Sequence, residues 1–529
     1  MDWHLARMDP ECNQQSCGYA VRKRWMMNFP VLSVITFTPI VAGILILLLP
    51  AQRKNEARVV ALAAATFALI LSFWVYFHYD QATAGYQFVE KYDWLPALGI
   101  SLHFGVDGIS TPLVLLTGVV MFTGVLISWG DDDKHVMAGI QDRPREFFAF
   151  LFILASGVFG VFVSLDLFML FFFYEIAVFP MYLLIAIWGW VVTREYAAMK
   201  LTLYLFFGSV ISLVGVIAMY WVAGKNTGVF TFDMLEMEKA GFSQAFQNIW
   251  FLPVFFGFAV LGGIWPFHNW SPDGHVAAPT AVSMFHAGVL MKLGAFAALR
   301  VGIMLLPGGA KYWSWLIMLF AAVAVVYGAY IAFVQMDFKY MVGFSSVSHM
   351  GLVMLGFSTL NRQGLLGSGV QMFSHGVMTA LFFAVVGMIY DRAHTRQIPE
   401  LGGMNKVMPF AVIGFIIGGL VSMGMPGFSG FIAEFPIFLG VWGRHWLVAV
   451  IASISIIITA AYIMRNIRQV FFGEIPEKLE GHLTDVTILD KVAITTLCVF
   501  MIIIGLFPSF MVPMVQTGVE NILRLLGGA

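Results

Sequence analysis

Charge is scarce in this chain. Asp, Glu, Lys and Arg make up 11% of its 529 residues, against about 25% in a typical globular domain. With 60% hydrophobic residues and a mean hydropathy of +0.85, the chain reads as an integral membrane protein and leaves no room for a sizeable soluble domain. A net charge of −1 supplies no basic patch for nucleic acid. The three cysteines, Cys12, Cys17 and Cys498, form no CxxC and cannot furnish the four thiolates of an iron–sulfur cluster. No GxGxxG opens a helix after a strand, so no dinucleotide site is written here. If redox chemistry drives this protein, it takes place on another chain.

Long apolar runs are what the sequence does have. Runs of about 20 residues recur along its whole length, which predicts spanning helices rather than barrel strands. The expected spans are 31–50, 59–78, 111–129, 147–164, 167–189, 201–222 and 249–270 in the first half. In the second half they are 278–304, 312–334, 338–357, 369–390, 407–440, 447–472 and 493–512. That is about fourteen crossings, an all-α polytopic membrane protein. Arg53, Lys54 and Arg58, then Lys134, Arg143 and Arg145, then Arg392 and Arg396 fall in odd-numbered connections, and Arg465 and Arg468 stand at the end of the thirteenth span, beside another. The positive-inside rule makes those connections cytoplasmic and puts both termini outside. Residues 1–26 fit poorly: they are polar and end in the basic run Arg22-Lys23-Arg24, which opposes that orientation. They read as an extension, either a short disordered tail or a mis-assigned start with Met27 as the true beginning.

The stretch 264–300, IWPFHNWSPDGHVAAPTAVSMFHAGVLMKLGAFAALR, organises the rest. It is expected to break at Pro266 and Pro272 and to resume as a helix carrying Lys292 among apolar neighbours. A cation near mid-bilayer costs roughly 2.5–3.5 kcal/mol on insertion scales, so it faces protein or water rather than lipid. Irregular backbone at that depth survives only where it is buried in protein or lines a cavity. Glu175 stands in another apolar run with no basic residue close in sequence, and an isolated carboxylate there takes up a proton unless a cation from another helix pairs with it. Lys200 opens the next span, where snorkelling to the interface is the alternative reading. Lys339, Ser345, Ser346, Ser348 and His349 share one span, and His375 extends the thread. Serines in such helices often only bond the preceding turn, and a histidine can simply pack. Span 407–440 is interrupted at Met425-Pro426-Gly427 and then carries Glu434. Two broken helices, one in each half, are the mark of a transporter built from related repeats.

Five segments also carry a resemblance: YEIAVFPMYLLIAIWG, PFHNWSPDGHVAAPTAVSMFHAGVLMKLGA, DFKYMVGFSSVSHMGLVMLG, MFSHGVMTALFFAVVGMIYDR and MPGFSGFIAEF. From Met27 to its end the chain resembles the subunit M family of the proton-pumping NADH:quinone oxidoreductase, respiratory complex I. The resemblance implies fourteen helices including two inverted five-helix repeats, each with a broken helix, and kinship with Mrp-type sodium/proton antiporters. It implies an extension at 1–26, amino-terminal helices at 27–146, half-channels at 147–304 and 305–472, and a carboxy-terminal helix and tail at 473–529. Glu175 matches the family's fifth-helix glutamate, Lys292 its central lysine, Lys339 and His349 polar positions of the tenth helix, and Glu434 its exit residue. Glutamate rather than lysine at that last position favours subunit M over its sister subunits. Lys200, His286 and His375 are secondary candidates.

One departure stands out. Leu261 occupies the place of the seventh-helix lysine that would pair with Glu175, and Gly262-Gly263 replaces the helix-breaking proline. Gly262-Gly263 can still break the helix, and Lys200 or Lys292 is then expected to take over as the cation for Glu175. Burial loosens a lysine's hold on its proton and a nearby carboxylate tightens it, so Glu175 would switch Lys292, with protons passing on through His349 and Lys339 to Glu434. By this resemblance the chain is a non-redox subunit of a proton-translocating oxidoreductase in the inner cell membrane. It would hold no cofactor or metal; NADH, FMN, iron–sulfur clusters and quinone would sit on partner subunits, and antiporter-like membrane chains and lipid would surround it. The other readings are an Mrp-type antiporter subunit, a membrane subunit of a hydrogenase or ferredoxin-linked relative, and a structural spacer.

Overall fold

The computed structural model describes residues 29–129, 140, 142–481 and 483–527. The extension at 1–26, Met27, Lys134 and both amino-terminal cysteines lie outside the described residues. Two membrane helices, α1 (Val31–Leu48) and α2 (Lys54–His78), lead into a hairpin of β1 (Gln87–Leu95) and β2 (Ile100–Val106). Then follow α3 (Ser110–Ile127), α4 (Pro144–Val163), α5 (Leu167–Trp188), α6 (Arg194–Thr227) and α7 (Gln244–Leu261). After a break come the short α8 (Trp270–Ala277), the long α9 (Thr280–Ile303), α10 (Pro307–Val334), α11 (Phe338–Thr359) and α12 (Arg362–Ala393). The rest are α13 (Pro409–Ser422), α14 (Ser429–Arg444), α15 (Trp446–Phe471), α16 (Ile488–Leu506) and α17 (Val512–Leu525). Among the described residues thirteen helices are long and apolar enough to cross a membrane. Counting the interrupted α13–α14 as one more gives the fourteen crossings expected.

Two details depart from expectation. The cap between the second and third spans is an antiparallel hairpin, its strands paired from Gln87↔Val106 to Leu95↔Ile100. Asp233, from the connection after α6, pins it by accepting from Lys91 (2.7 Å) and contacting His103 (3.1 Å). Burial alone would raise the Asp233 carboxyl, but those two partners hold it well below the usual carboxylate range. The second difference concerns Pro272. It does not break a helix but sits in the first turn of α8, where its missing N–H has no intrahelical acceptor to lose. The break runs from Gly262, whose neighbour Gly263 has φ +71°, to Asn269. The second broken helix likewise turns on glycines, Gly424 (φ +64°) and Gly427 (φ +93°).

The helices sort by depth. An 18-residue window of α9 or α12 is wholly buried, whereas in α2 and α15 only a third is. The polar candidates on α9, α11 and α12 therefore lie in the protein interior, as intramembrane charges require. A second sign of repetition is the pair of aspartates that start α5 and α11. Asp166 accepts from the N–H groups of Phe168 and Met169, and Asp337 from those of Lys339 and Tyr340. Each also bridges the connection after the following helix, at Asp233 and Gln397.

Close approach at the break depends on Gly294. A Cβ there would lie 2.3 Å from the Gly262 nitrogen and 2.7 Å from the Phe258 carbonyl oxygen. Those atoms are backbone, so α7 and α9 would have to part. Gly294→Ala is expected to destabilise the subunit by about 1–3 kcal/mol, seen as a lower inactivation temperature of the purified assembly.

Candidate functional site

The structure places most of the candidates on two sides of the interior and leaves Glu175 and Lys200 apart from both. On the first side, Lys292 is fully buried, and its ammonium donates to the Ala287 carbonyl of its own helix. It makes no ion pair among the described residues. Local π-helical turns at His286–Leu290 and Ala298–Ile303 flank it; such turns free backbone carbonyls and recur at functional sites. Lys339, also buried, donates to the Ala278 carbonyl (2.7 Å) and Ser283 Oγ (3.4 Å), so it closes on the α8–α9 junction. Ser283 in turn donates to the His275 carbonyl (2.8 Å), and Ser271 Oγ meets His275 Nε2 at 3.0 Å.

The second cluster surrounds Glu434. His349 Nδ1 approaches Glu434 Oε1 at 3.1 Å, Gln371 Nε2 donates to the same oxygen at 3.2 Å, and His349 Nε2 meets Ser422 Oγ at 3.0 Å. His375 lies beside it with ring centroids 5.3 Å from His349. The three helices that build the cluster are α11, α12 and the broken α13–α14, and the break brings Ser422 and Glu434 to the same depth. Ser345 shares a hydrogen bond with Tyr462 of α15 (2.7 Å), Ser348 donates to the Val325 carbonyl (2.7 Å), and Ser346 only bonds back to Val342. Hydroxyls of that one span thus divide between tertiary contacts and the local bonding foreseen as the bland alternative.

Glu175 stands apart. One of its oxygens is buried with no hydrogen-bond partner among the described residues, and Ser209 of α6 is the hydrogen-bonding group beside it. Neither proposed substitute cation reaches it. Lys200 pairs with Asp273 at 2.6 Å, and Lys292 satisfies a carbonyl. The physical reason is position: Lys200 is nearly two turns into α6, level with α8, whose Asp273 carboxylate also accepts from Tyr340 Oη (2.9 Å). Leu261 itself is fully buried at the end of α7. The anticipated order through Lys339 also changes, because His349 touches Glu434 directly while Lys339 lies about 15 Å earlier along α11 at 1.5 Å per residue.

Sequence reading missed three participants. Asp273 and Gln371 are ordinary polar residues until the fold brings them to Lys200 and Glu434. Arg300 is different, because it sits in the span of Lys292 and the same rule for intramembrane cations would have flagged it. Its guanidinium pairs with Asp107 at 2.7 Å, donates to Tyr86 Oη at 3.1 Å and lies over the Phe296 ring. Burial alone would raise the Asp107 carboxyl, yet Arg300 and the backbone N–H groups of Ser110 and Ile109 hold it below the usual range.

Among the described residues no cluster of His, Cys, Asp and Glu could hold a metal ion. The fold and these buried polar groups define a class: a multi-pass membrane protein with two broken helices, each set among buried protonatable groups. A sequence profile described as "NADH:quinone oxidoreductase/Mrp antiporter, TM" matches residues 164–459. The chain is 33% identical to NADH-quinone oxidoreductase subunit M of Rickettsia bellii over 94% of this chain and 99% of that one. It is 36% identical to subunit M of Rhodobacter capsulatus over 93% and 96%. Its fold matches a chain of respiratory complex I from Thermus thermophilus with bound NADH, with a TM-score of 0.84 at 26% identity, over 94% of this chain and 100% of that one. The chain therefore belongs to the membrane-subunit family of NADH:quinone oxidoreductase and Mrp antiporters, and it resembles the subunit M branch, as the motifs implied.

Proposed function

We propose that this chain carries protons across the membrane as the antiporter-like subunit M of an NADH:quinone oxidoreductase, with no redox chemistry of its own. NADH oxidation and quinone reduction belong to partner chains, which hold the FMN, iron–sulfur clusters and quinone. Neighbouring membrane subunits deliver the coupling, and both termini face outward from the inner membrane. Residues 147–304 and 305–472 act as two half-channels. The observation that carries this reading is a run of buried protonatable groups: Lys339 at the α8–α9 junction, Lys292 further along α9, and His349 with Glu434 at the second break. Every member is buried, so each charge depends on its neighbours rather than on water.

In this scheme Lys292 takes a proton from the cytoplasmic half and passes it along the α11–α12 interface to His349. The imidazole accepts on one ring nitrogen and releases from the other, handing the proton to Glu434 for exit. Glu175, which no fixed cation neutralises, modulates the first half by taking up and releasing a proton. Glu434→Gln keeps the shape and the contact with Gln371 but cannot carry a proton. It is expected to slow proton pumping and the coupled quinone reduction about a hundredfold while the subunit still assembles. Unchanged pumping in that variant would remove Glu434 from the route. Sodium/proton exchange without any quinone-linked activity in the purified assembly would favour an antiporter instead.

A further inference from the structure

A cavity at the foot of α15 has no part in that route. The helix ends in a π-helical turn, Ile467–Phe471, and there Arg465, Arg468 and Gln469, with Phe472, Glu474 and Leu401, line a space of about 450 Å³. The α12–α13 connection closes on it tightly, for a Cβ at Gly402 would lie 2.6 Å from the Glu474 carbonyl oxygen. The two arginines are short of partners. The Arg465 guanidinium lies 5.0 Å from the centre of the Phe333 ring of α10 and donates to the Gln335 carbonyl (3.3 Å). Its Nε is buried with no partner among the described residues. Arg468 is exposed, and neither arginine forms an ion pair among the described residues. A guanidinium carries five N–H donors in a fork that matches a phosphate, so most of that capacity stays open. Among the described residues Glu474 is the one carboxylate in the lining, which leaves the cavity net positive.

Position decides what such a cavity can take. Val334, Met336, Met464 and Phe472 around it are exposed apolar side chains. It therefore opens at the edge of the hydrocarbon layer, on the side that the positive-inside rule makes cytoplasmic. A second, almost wholly apolar groove of about 490 Å³ lies between the same two helices, lined by Tyr327 and Tyr330 of α10 and by Val448 and Ile451 of α15. Tyr330 stands about 8 Å along α10 from Gln335 at 1.5 Å per residue, so the groove leads from the arginines into the bilayer. A cationic pocket at the rim and an apolar groove beneath it make one continuous surface with two chemistries.

We propose that this cavity binds the phosphate of an anionic phospholipid of the cytoplasmic leaflet, whose acyl chains lie along the α10–α15 groove. Arg465 and Arg468 donate to the phosphate oxygens, and the buried Nε gains the acceptor it lacks. A soluble anion would use the arginines alone, and an acidic protein segment would leave the groove bare; a lipid fills both. The negative charge of that leaflet draws such a headgroup to exposed arginines. Bound there, the lipid ties α15 to α10 one turn from Tyr462, which holds Ser345 of α11 at 2.7 Å.

The test uses the intact complex reconstituted in phosphatidylcholine vesicles that contain a photoactivatable phosphatidylglycerol. Peptide mapping is expected to find label on residues 464–474 and 326–336 of this chain, displaced by unlabelled phosphatidylglycerol but not by inorganic phosphate. Arg468→Gln, at an exposed side chain without a partner among the described residues, is expected to assemble normally and to lose that labelling several-fold. Arg465→Gln combined with Arg468→Gln is expected to lose it about tenfold or more, the range for hydrogen bonds to a charged group, while labelling elsewhere on the complex stays constant. Should the double variant fail to assemble, Arg468→Gln decides alone. Unchanged labelling in the variants would overturn the site. Displacement by inorganic phosphate would overturn it too, by marking a site for soluble anions. A wild-type segment that takes no label would mean that a neighbouring chain covers the cavity, and the lipid would be excluded.

Discussion

Replacing Lys292 with alanine is expected to slow proton pumping and coupled quinone reduction about a hundredfold, the lower end of what a positioned proton-transfer group supplies. The subunit itself should still fold. Lys292 makes no ion pair among the described residues and satisfies only the Ala287 carbonyl, which already lies in a π-helical turn. Removing a buried ammonium that has no counter-charge removes a desolvation cost as well as a hydrogen bond, so the variant should assemble in normal amounts. Loss of activity without loss of assembly is the result that distinguishes a proton carrier from a packing residue. Lys292→Arg should fare no better than alanine, since a guanidinium does not release its proton at physiological pH.

The second large effect concerns stability. Arg300→Ala strands the Asp107 carboxylate, which is fully buried and already has one oxygen without a hydrogen-bond partner among the described residues. Breaking one side of a buried ion pair costs about 3–5 kcal/mol, so little of the subunit should survive into the assembly. The same loss is expected of Asp107→Ala, which leaves Arg300 with only Tyr86 and Met304 as hydrogen-bond acceptors among the described residues. Removing both charges together, Asp107→Asn with Arg300→Gln, should restore much of the stability, because two neutral groups can pair without a stranded charge. Quantifying the subunit in purified membranes, and its inactivation temperature, checks all three. If Arg300→Ala assembles and withstands heat like the wild type, the pair contributes no stability. The pair also bears on function: it anchors the far end of α9, about 12 Å along the helix from Lys292 at 1.5 Å per residue, to the start of α3 and the hairpin.

Much of this arrangement was legible in the chain because lipid imposes strict rules. Apolar runs long enough to span, a lysine or glutamate inside one, and glycine and proline at mid-membrane each admit few readings. Lys292, Glu434 and both breaks stood out for that reason. Pairings between distant segments did not. Nothing local ties Lys200 to Asp273, so charge alone assigned it to Glu175, the carboxylate without a sequence neighbour. The hairpin was hidden too: QFVEKYDWL has no clean alternation of polar and apolar residues, and it is held by Asp233 from a remote connection. Pro272 misled because a proline in the first turn of a helix and one that ends a helix look alike in sequence.

The central claim is that buried side chains of this chain conduct the protons. The most direct measurement is the number of protons moved per electron, with the turnover rate, for the complex carrying Lys292→Ala and Glu434→Gln together in sealed vesicles. A fall in the ratio or a collapse of coupled turnover, with the subunit present in full amount, is the predicted result. A wild-type ratio at wild-type turnover would contradict it.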